Sequence, residues 1–175
     1  SSAAPPLIRE ALYSDSSNLF SESGFDLDKN GIWEDIGDLL LSGEGVVENF
    51  KKIKNFVKGV IGLNRRLISL GGDHSISWPI LDAHLDVWST LDILHIDAHP
   101  DLYDNLLDNK LSHASPFARI METGRINRLV QVGIRTLNQH QREQAKKFGV
   151  EIHEMRDLGE ITSLSFSKPV YCSID

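Results

Sequence analysis

The sequence predicts an α/β fold built on a mainly parallel sheet. Three observations carry the prediction. Short, near-continuous apolar runs such as 93–96 and 129–134 suit strands covered on both faces. Segments with apolar residues at helical spacing alternate with them, as in a doubly covered sheet. Polar, metal-competent side chains cluster where those runs end, and the carboxyl ends of strands are where ligands collect in such sheets.

The elements follow in order. Residues 14–30 are Ser- and Asp-rich and read as a loop. Val46, Phe50, Ile53, Val57 and Val60 recur at helical spacing with lysines between them, which predicts an amphipathic helix. Leu67–Leu70 is a short apolar run stopped by Gly71-Gly72, a first strand candidate. Leu81, His84, Leu85 and Trp88 suggest a helix, and Ile93–Ile96 a strand. Ser115-Pro116 has the form of a helix N-cap and first position, leading into Phe117–Met121. Leu129–Ile134 is the next strand, and Asn138–Phe148 a polar helix ended by Gly149. Val150–His153 and Val170–Ile174 are further strands.

No repeat, low-complexity tract or linker divides the 175 residues, so 1–175 reads as one domain. Apolar residues at 41% and charged residues at 25% fit an ordinary globular core. The net charge of −7, with scattered Lys and Arg, argues against a nucleic-acid partner. No apolar run is long enough to span a bilayer, which argues against a membrane partner. Cys172 alone permits no internal disulfide.

Three strand ends carry the chemistry: Leu70-Gly71-Gly72-Asp73-His74-Ser75, His95-Ile96-Asp97-Ala98-His99-Pro100-Asp101, and Ser173-Ile174-Asp175. In an extended segment, side chains at i, i+2 and i+4 share a side. Asp97, His99 and Asp101 therefore converge if extension persists past the strand, and Pro100 biases His99 toward it. Two carboxylates and an imidazole are costly to bury unpaired, and a divalent cation removes that cost. Adding His74 and Asp175 gives three carboxylates and two imidazoles with no thiolate. Hard ligands in that surplus favour two manganese-like ions over a structural zinc. Paired ions of this kind make a water nucleophilic at neutral pH. The plainer readings are a polar turn for Asp97–Asp101, a glycine turn with a helix cap for Gly71–Ser75, and a satisfied core histidine for His95. Asp73 reads as a capping residue rather than a ligand. Cys172 reads as a small core residue.

These segments resemble the ureohydrolases, the family of arginase and agmatinase. The signatures G-G-D-H-S, D-A-H-x-D and S-x-D stand here as Gly71–Ser75, Asp97–Asp101 and Ser173–Asp175. The resemblance runs from about Ala4 to the last residue and implies a three-layer α/β/α arginase-like fold. It implies two Mn²⁺ ions: His74 and Asp101 on one, His99 on the other, Asp97 and Asp175 bridging. It further implies that Asp101 relays the proton of the attacking water to the leaving amine, and that His113 is a proton shuttle at the site mouth. The finer match is to plant-type arginases and their bacterial agmatinase-like relatives, through Pro100–Asp104, Ser112–Ile120 and Gln131–Arg135. Animal arginases carry an Asn where Tyr103 stands, so their way of reading arginine does not transfer.

The implied reaction is hydrolysis of a guanidino group to urea and an amine. Arginase, acting on L-arginine, is the favoured reading, with agmatinase or another guanidino-acid ureohydrolase as the alternative. A one-zinc deacetylase and a non-catalytic metal-binding subunit are weaker rivals. The family's first strand and its C-terminal part, with a further Asp ligand, are expected to lie outside these residues, leaving the fold incomplete at both ends and the isolated segment inactive. A homo-oligomer, trimer or hexamer, is implied, as is a cytoplasmic location or, in a plant, the mitochondrial matrix.

Overall fold

The computed structural model describes residues 3–29, 33–41, 43–63, 65–160 and 163–175. Its element order is α1 (Ala4–Leu12), α2 (Val46–Ile61), a 3₁₀ turn (His74–Ile76), α3 (Ser77–Val87), β1 (Leu91–Ile96), α4 (Pro116–Met121), β2 (Ile126–Ile134), α5 (Gln139–Phe148), β3 (Glu151–Glu154), a second 3₁₀ turn (Met155–Glu160) and β4 (Val170–Ile174). The four strands pair in the order β3-β2-β1-β4, every pair parallel. Parallel neighbours require crossovers, and the helices between the strands supply them. The fold is α/β, a parallel sheet with flanking helices. No helix of the described residues is long and apolar enough to cross a membrane.

Strand β1 is central, and its Leu91, Ile93 and His95 face is sealed. Leu91, Ile93, Leu129, Leu81, Leu85, Phe117 and Ile120 form the main core cluster. Phe117 of α4 packs on the His95 ring at 4.1 Å between centroids, and His84 of α3 meets Tyr171 edge-on at 5.7 Å. Helix α2 presents Phe50, Ile53, Val57 and Ile61 to Ile80 and Ala83 of α3, the stripe that its 3.6-residue period dictates. The opposite sheet face, with Leu94, Ile96, Cys172 and Ile174, is partly open. Ile96 is 38% and Ile174 75% exposed. Cys172 is exposed, not a core residue.

Helix ends follow their residues. Asn138 accepts from the Gln141 N–H at 2.9 Å, and Gly149 closes α5 at φ +67°. Ser115 holds the N-cap position of α4, but its hydroxyl bonds the Ser112 hydroxyl at 2.9 Å instead of the helix backbone. Residues 67–70 form no strand among the described residues, and Ile68 is 87% exposed. A strand needs a hydrogen-bonded neighbour, and the outer edge of β4 has none there. Helix α1, which the sequence did not announce, starts on Pro5 and Pro6 in its first turn. Residues 14–29 are turns with one antiparallel bridge, Phe20 to Asp26, as a loop should be; Asn30 lies outside the described residues.

Candidate metal centre

Three chain segments meet at the carboxyl end of β1 and β4. Asp97 follows β1 directly, and its N–H donates to the Val132 carbonyl of β2 at 3.1 Å. The Asp175 N–H donates to the Ile96 carbonyl at 3.1 Å, which brings the end of β4 beside it. The loop after Asp97 is tied down as well, since the Ala98 carbonyl accepts from the Arg135 N–H at 2.9 Å and the Thr136 hydroxyl at 3.0 Å. On the third segment, Asp73 caps the 3₁₀ turn by accepting from the Ser75 N–H at 2.9 Å, which fixes where His74 begins.

His74 sits at the focus. Its Nδ1 lies 2.8 Å from Asp101 Oδ2, 3.5 Å from Asp97 Oδ2 and 3.5 Å from Asp175 Oδ2. Its Nε2 lies 2.9 Å from the Ser173 hydroxyl. Phe117 stands edge-on to the ring at 5.3 Å. The side chains of His74, Asp97 and Asp101 are 7%, 3% and 8% exposed, whereas that of Asp175 is 65% exposed.

The route by which Asp101 arrives differs from the expected one. The chain bends at 97–99, and Asp101 takes φ +47°. Extension therefore does not persist, and the spacing of two does not align the three side chains. The left-handed residue turns Asp101 inward, a conformation that Asp tolerates better than most. His99 points out, 61% exposed, with Nδ1 3.5 Å from Asp97 Oδ1. Its N–H donates to Asp97 Oδ1 at 2.8 Å. His113 is exposed and lines an open cleft of about 430 Å³ with Asp73, Ser75, Leu106, Asn109 and Ser112. Among the described residues it forms no ion pair with Asp97, Asp101 or Asp175. Tyr103 is engaged elsewhere: its hydroxyl accepts from Asn138 Nδ2 at 2.6 Å, and its ring stacks on His140.

Burial is the largest influence on His74 and opposes its charge. The Asp101 hydrogen bond and the charges of Asp101, Asp175 and Asp97 outweigh it, and the pKa rises above the ordinary value of 6.5. Burial alone raises a carboxyl, yet the His95 hydrogen bond and the His99 N–H hold Asp97 below its usual value. His95 goes the other way, because burial dominates and keeps the ring neutral. Three carboxyl groups surround one ring that offers at most a single positive charge. Such a set is costly without a further cation. Its chemistry, oxygen plus imidazole with no thiolate, fits a hard to borderline divalent metal.

One atom each from His74, His95 and Asp97 lies within 4.8 Å of the others. We nevertheless place His95 behind the site. Its Nε2 is 2.9 Å from Asp97 Oδ2, and its Nδ1 is 3.0 Å from Gln131 Nε2. It is a satisfied core histidine, as the sequence suggested, but what satisfies it is a candidate ligand. Two signals marked this in the sequence: His95 stands two residues before Asp97 on the strand, and Gln131 interrupts an apolar run. Ser173, the first residue of the S-x-D motif, bonds His74.

The sequence profile of the arginase family matches residues 1–175. The mitochondrial arginase of Medicago truncatula is 44% identical over a 191-position alignment that covers 100% of this chain and 56% of that protein. The arginase of Glycine max is 45% identical, covering 98% and 53% respectively. Among solved structures, arginase from Medicago truncatula superposes with a TM-score of 0.83 at 45% identity, over 90% of this chain and 52% of that one. The chain spans about half the length of the curated relatives it matches.

Proposed function

The chain belongs to the arginase family, and from that premise we propose that the whole protein is an arginase, a binuclear-manganese hydrolase converting L-arginine to L-ornithine and urea. The observation that carries the reading is the convergence of Asp97, Asp101 and Asp175 on Nδ1 of His74. In this reading His74, Asp97, His99, Asp101 and Asp175 would hold the ions. When bound, the ions would supply a water-derived nucleophile at neutral pH.

The chain's own groups do the rest. The Ser173 hydroxyl holds His74 by Nε2, so that Nδ1 is the atom turned toward the carboxylates, where a cation would sit. The carboxylates attract the cationic guanidinium, a resonance-stabilised electrophile that resists water alone. Asp101 accepts the proton of the attacking water and passes it to the leaving amine. His113, in its open cleft, exchanges protons with solvent. The name of the Medicago relative includes "mitochondrial", which supports the mitochondrial matrix over the cytoplasm as the compartment. A homo-oligomer completes the proposal.

The test is urea release by the full-length, manganese-loaded protein offered arginine and agmatine separately. Preference for arginine supports the proposal, and preference for agmatine makes the protein an agmatinase. Metal uptake with no urea from either substrate, or from other guanidino acids, leaves a non-catalytic metal-binding subunit.

A further inference from the structure

Gln131, His95 and Ser173 are register partners across β2, β1 and β4, a polar row one step below the candidate ligands. Gln131 and His95 are each 0% exposed. The Gln131 side-chain nitrogen touches two groups: the Pro100 carbonyl at 2.6 Å and His95 Nδ1 at 3.0 Å. Its own oxygen has no partner among the described residues. The orientation of the amide follows from chemistry. Turning it over would set two oxygens face to face at the Pro100 carbonyl, so the nitrogen belongs there.

That nitrogen carries two hydrogens, and the two acceptors take both. His95 Nδ1 must then offer its lone pair, and the ring's single hydrogen sits on Nε2, where Asp97 Oδ2 waits at 2.9 Å. Packing of Phe117 on the ring restrains it from flipping. The same amide also ties the 97–101 loop to β2 through the carbonyl between His99 and Asp101.

We propose that Gln131 is a positioning residue of the metal centre: its two amide hydrogens hold the Pro100 carbonyl and fix His95 as the Nε2–H tautomer, which aims the Asp97 carboxylate. This rests on the reading of Asp97 as a metal ligand. A group that orients a ligand through such a bond typically changes metal affinity by about 10–100-fold when lost.

The experiment uses the full-length protein, stripped of metal, with ¹⁵N-labelled histidine. In the wild type, His95 shows an unprotonated Nδ1 and a protonated Nε2. Gln131→Met, which has no donor, leaves the Pro100 carbonyl and His95 Nδ1 without their shared donor, and its Mn²⁺ affinity by calorimetry falls about 10–100-fold. Gln131→Glu keeps the shape but carries at most one hydrogen for two acceptors. It moves a hydrogen onto His95 Nδ1 and weakens Mn²⁺ binding similarly, which keeps the test open if the Met variant fails to fold. A residue that only filled space would lower the melting temperature and leave the tautomer alone. Nδ1–H in the wild type, or Mn²⁺ affinities in both variants within twofold of wild type, overturns the proposal. A wild type that takes up no Mn²⁺ overturns the metal reading beneath it, a result distinct from equal binding by wild type and variants.

Discussion

Gly133→Ala should damage the candidate site through the backbone. Gly133 holds φ +91°, and it sits where the β2–β3 register shifts between Val132 and Ile134. A Cβ built there meets the Asp97 carbonyl oxygen at 3.3 Å. Two costs combine. A side chain at such a φ costs about 1–3 kcal/mol. The contact adds to it, because the atom that must give way is backbone, and the Asp97 N–H is bonded to Val132, the residue before the glycine. We expect about 2–4 kcal/mol in total. Gly149→Ala is the control, since Gly149 has φ +67° with nothing within 4 Å of its Cβ. It should cost about 1 kcal/mol and leave metal binding alone. Denaturant unfolding and Mn²⁺ titration of the full-length protein read both effects. The reasoning fails if Gly133→Ala costs no more than Gly149→Ala and binds Mn²⁺ as the wild type does.

Other perturbations separate charge, protonation and packing. Asp101→Asn keeps a residue that tolerates φ +47° and removes only the charge, so Mn²⁺ affinity should fall by more than about 100-fold, beyond what an orienting partner controls. Asp101→Ala should lose the same affinity and about 1 kcal/mol more stability; equal melting temperatures for the two variants would contradict the backbone argument. In the metal-free protein, the raised pKa of His74 stabilises the fold fully below the ordinary value of 6.5 and is lost as pH rises through the higher folded value. Unfolding midpoints across that window should therefore decline, while Mn²⁺ affinity, which competes with the proton, should climb. Asp92 is 0% exposed and accepts from Asn127 Nδ2 and from the Ser167 and Lys168 N–H groups at 2.7, 2.9 and 3.0 Å, pinning the approach to β4. Asp92→Ala should cost about 1–3 kcal/mol by denaturant unfolding.

The helices and strands were legible wherever periodicity and punctuation agreed. Helix α2 follows from its lysine-interleaved apolar stripe, and α5 from Asn138 at one end and Gly149 at the other. Residues 67–70 misled because apolar β-formers announce only a readiness to pair, whereas a strand exists through its partner. Helix α1 was silent for the opposite reason. It buries no residue among those described, so no packed stripe marks it.

At the site, residue types were legible and directions were not. A parallel sheet delivers every strand's carboxyl end to one edge, so the motifs after β1 and β4 were bound to gather, while Gly71–Ser75 joins them through its 3₁₀ turn and not from a strand end. Which way each side chain then turns depends on bonds that no local pattern encodes. Asp101 turns inward through a left-handed φ, which an alternation rule applied past the strand cannot foresee. His99 turns outward although its own N–H grips Asp97. Period two does operate one step earlier, at the end of β1, where His95 and Asp97, the residue just past the strand, share a side and a hydrogen bond. The rule reaches one residue past the ladder, which ends at Ile96. Beyond it, position is set by single bonds to neighbouring strands: Asp97 to Val132, Asp175 to Ile96, and Pro100 to Gln131. Each of these bonds has one end in the sheet, so the rigidity of the ligand cage is borrowed from the sheet rather than built into the loop.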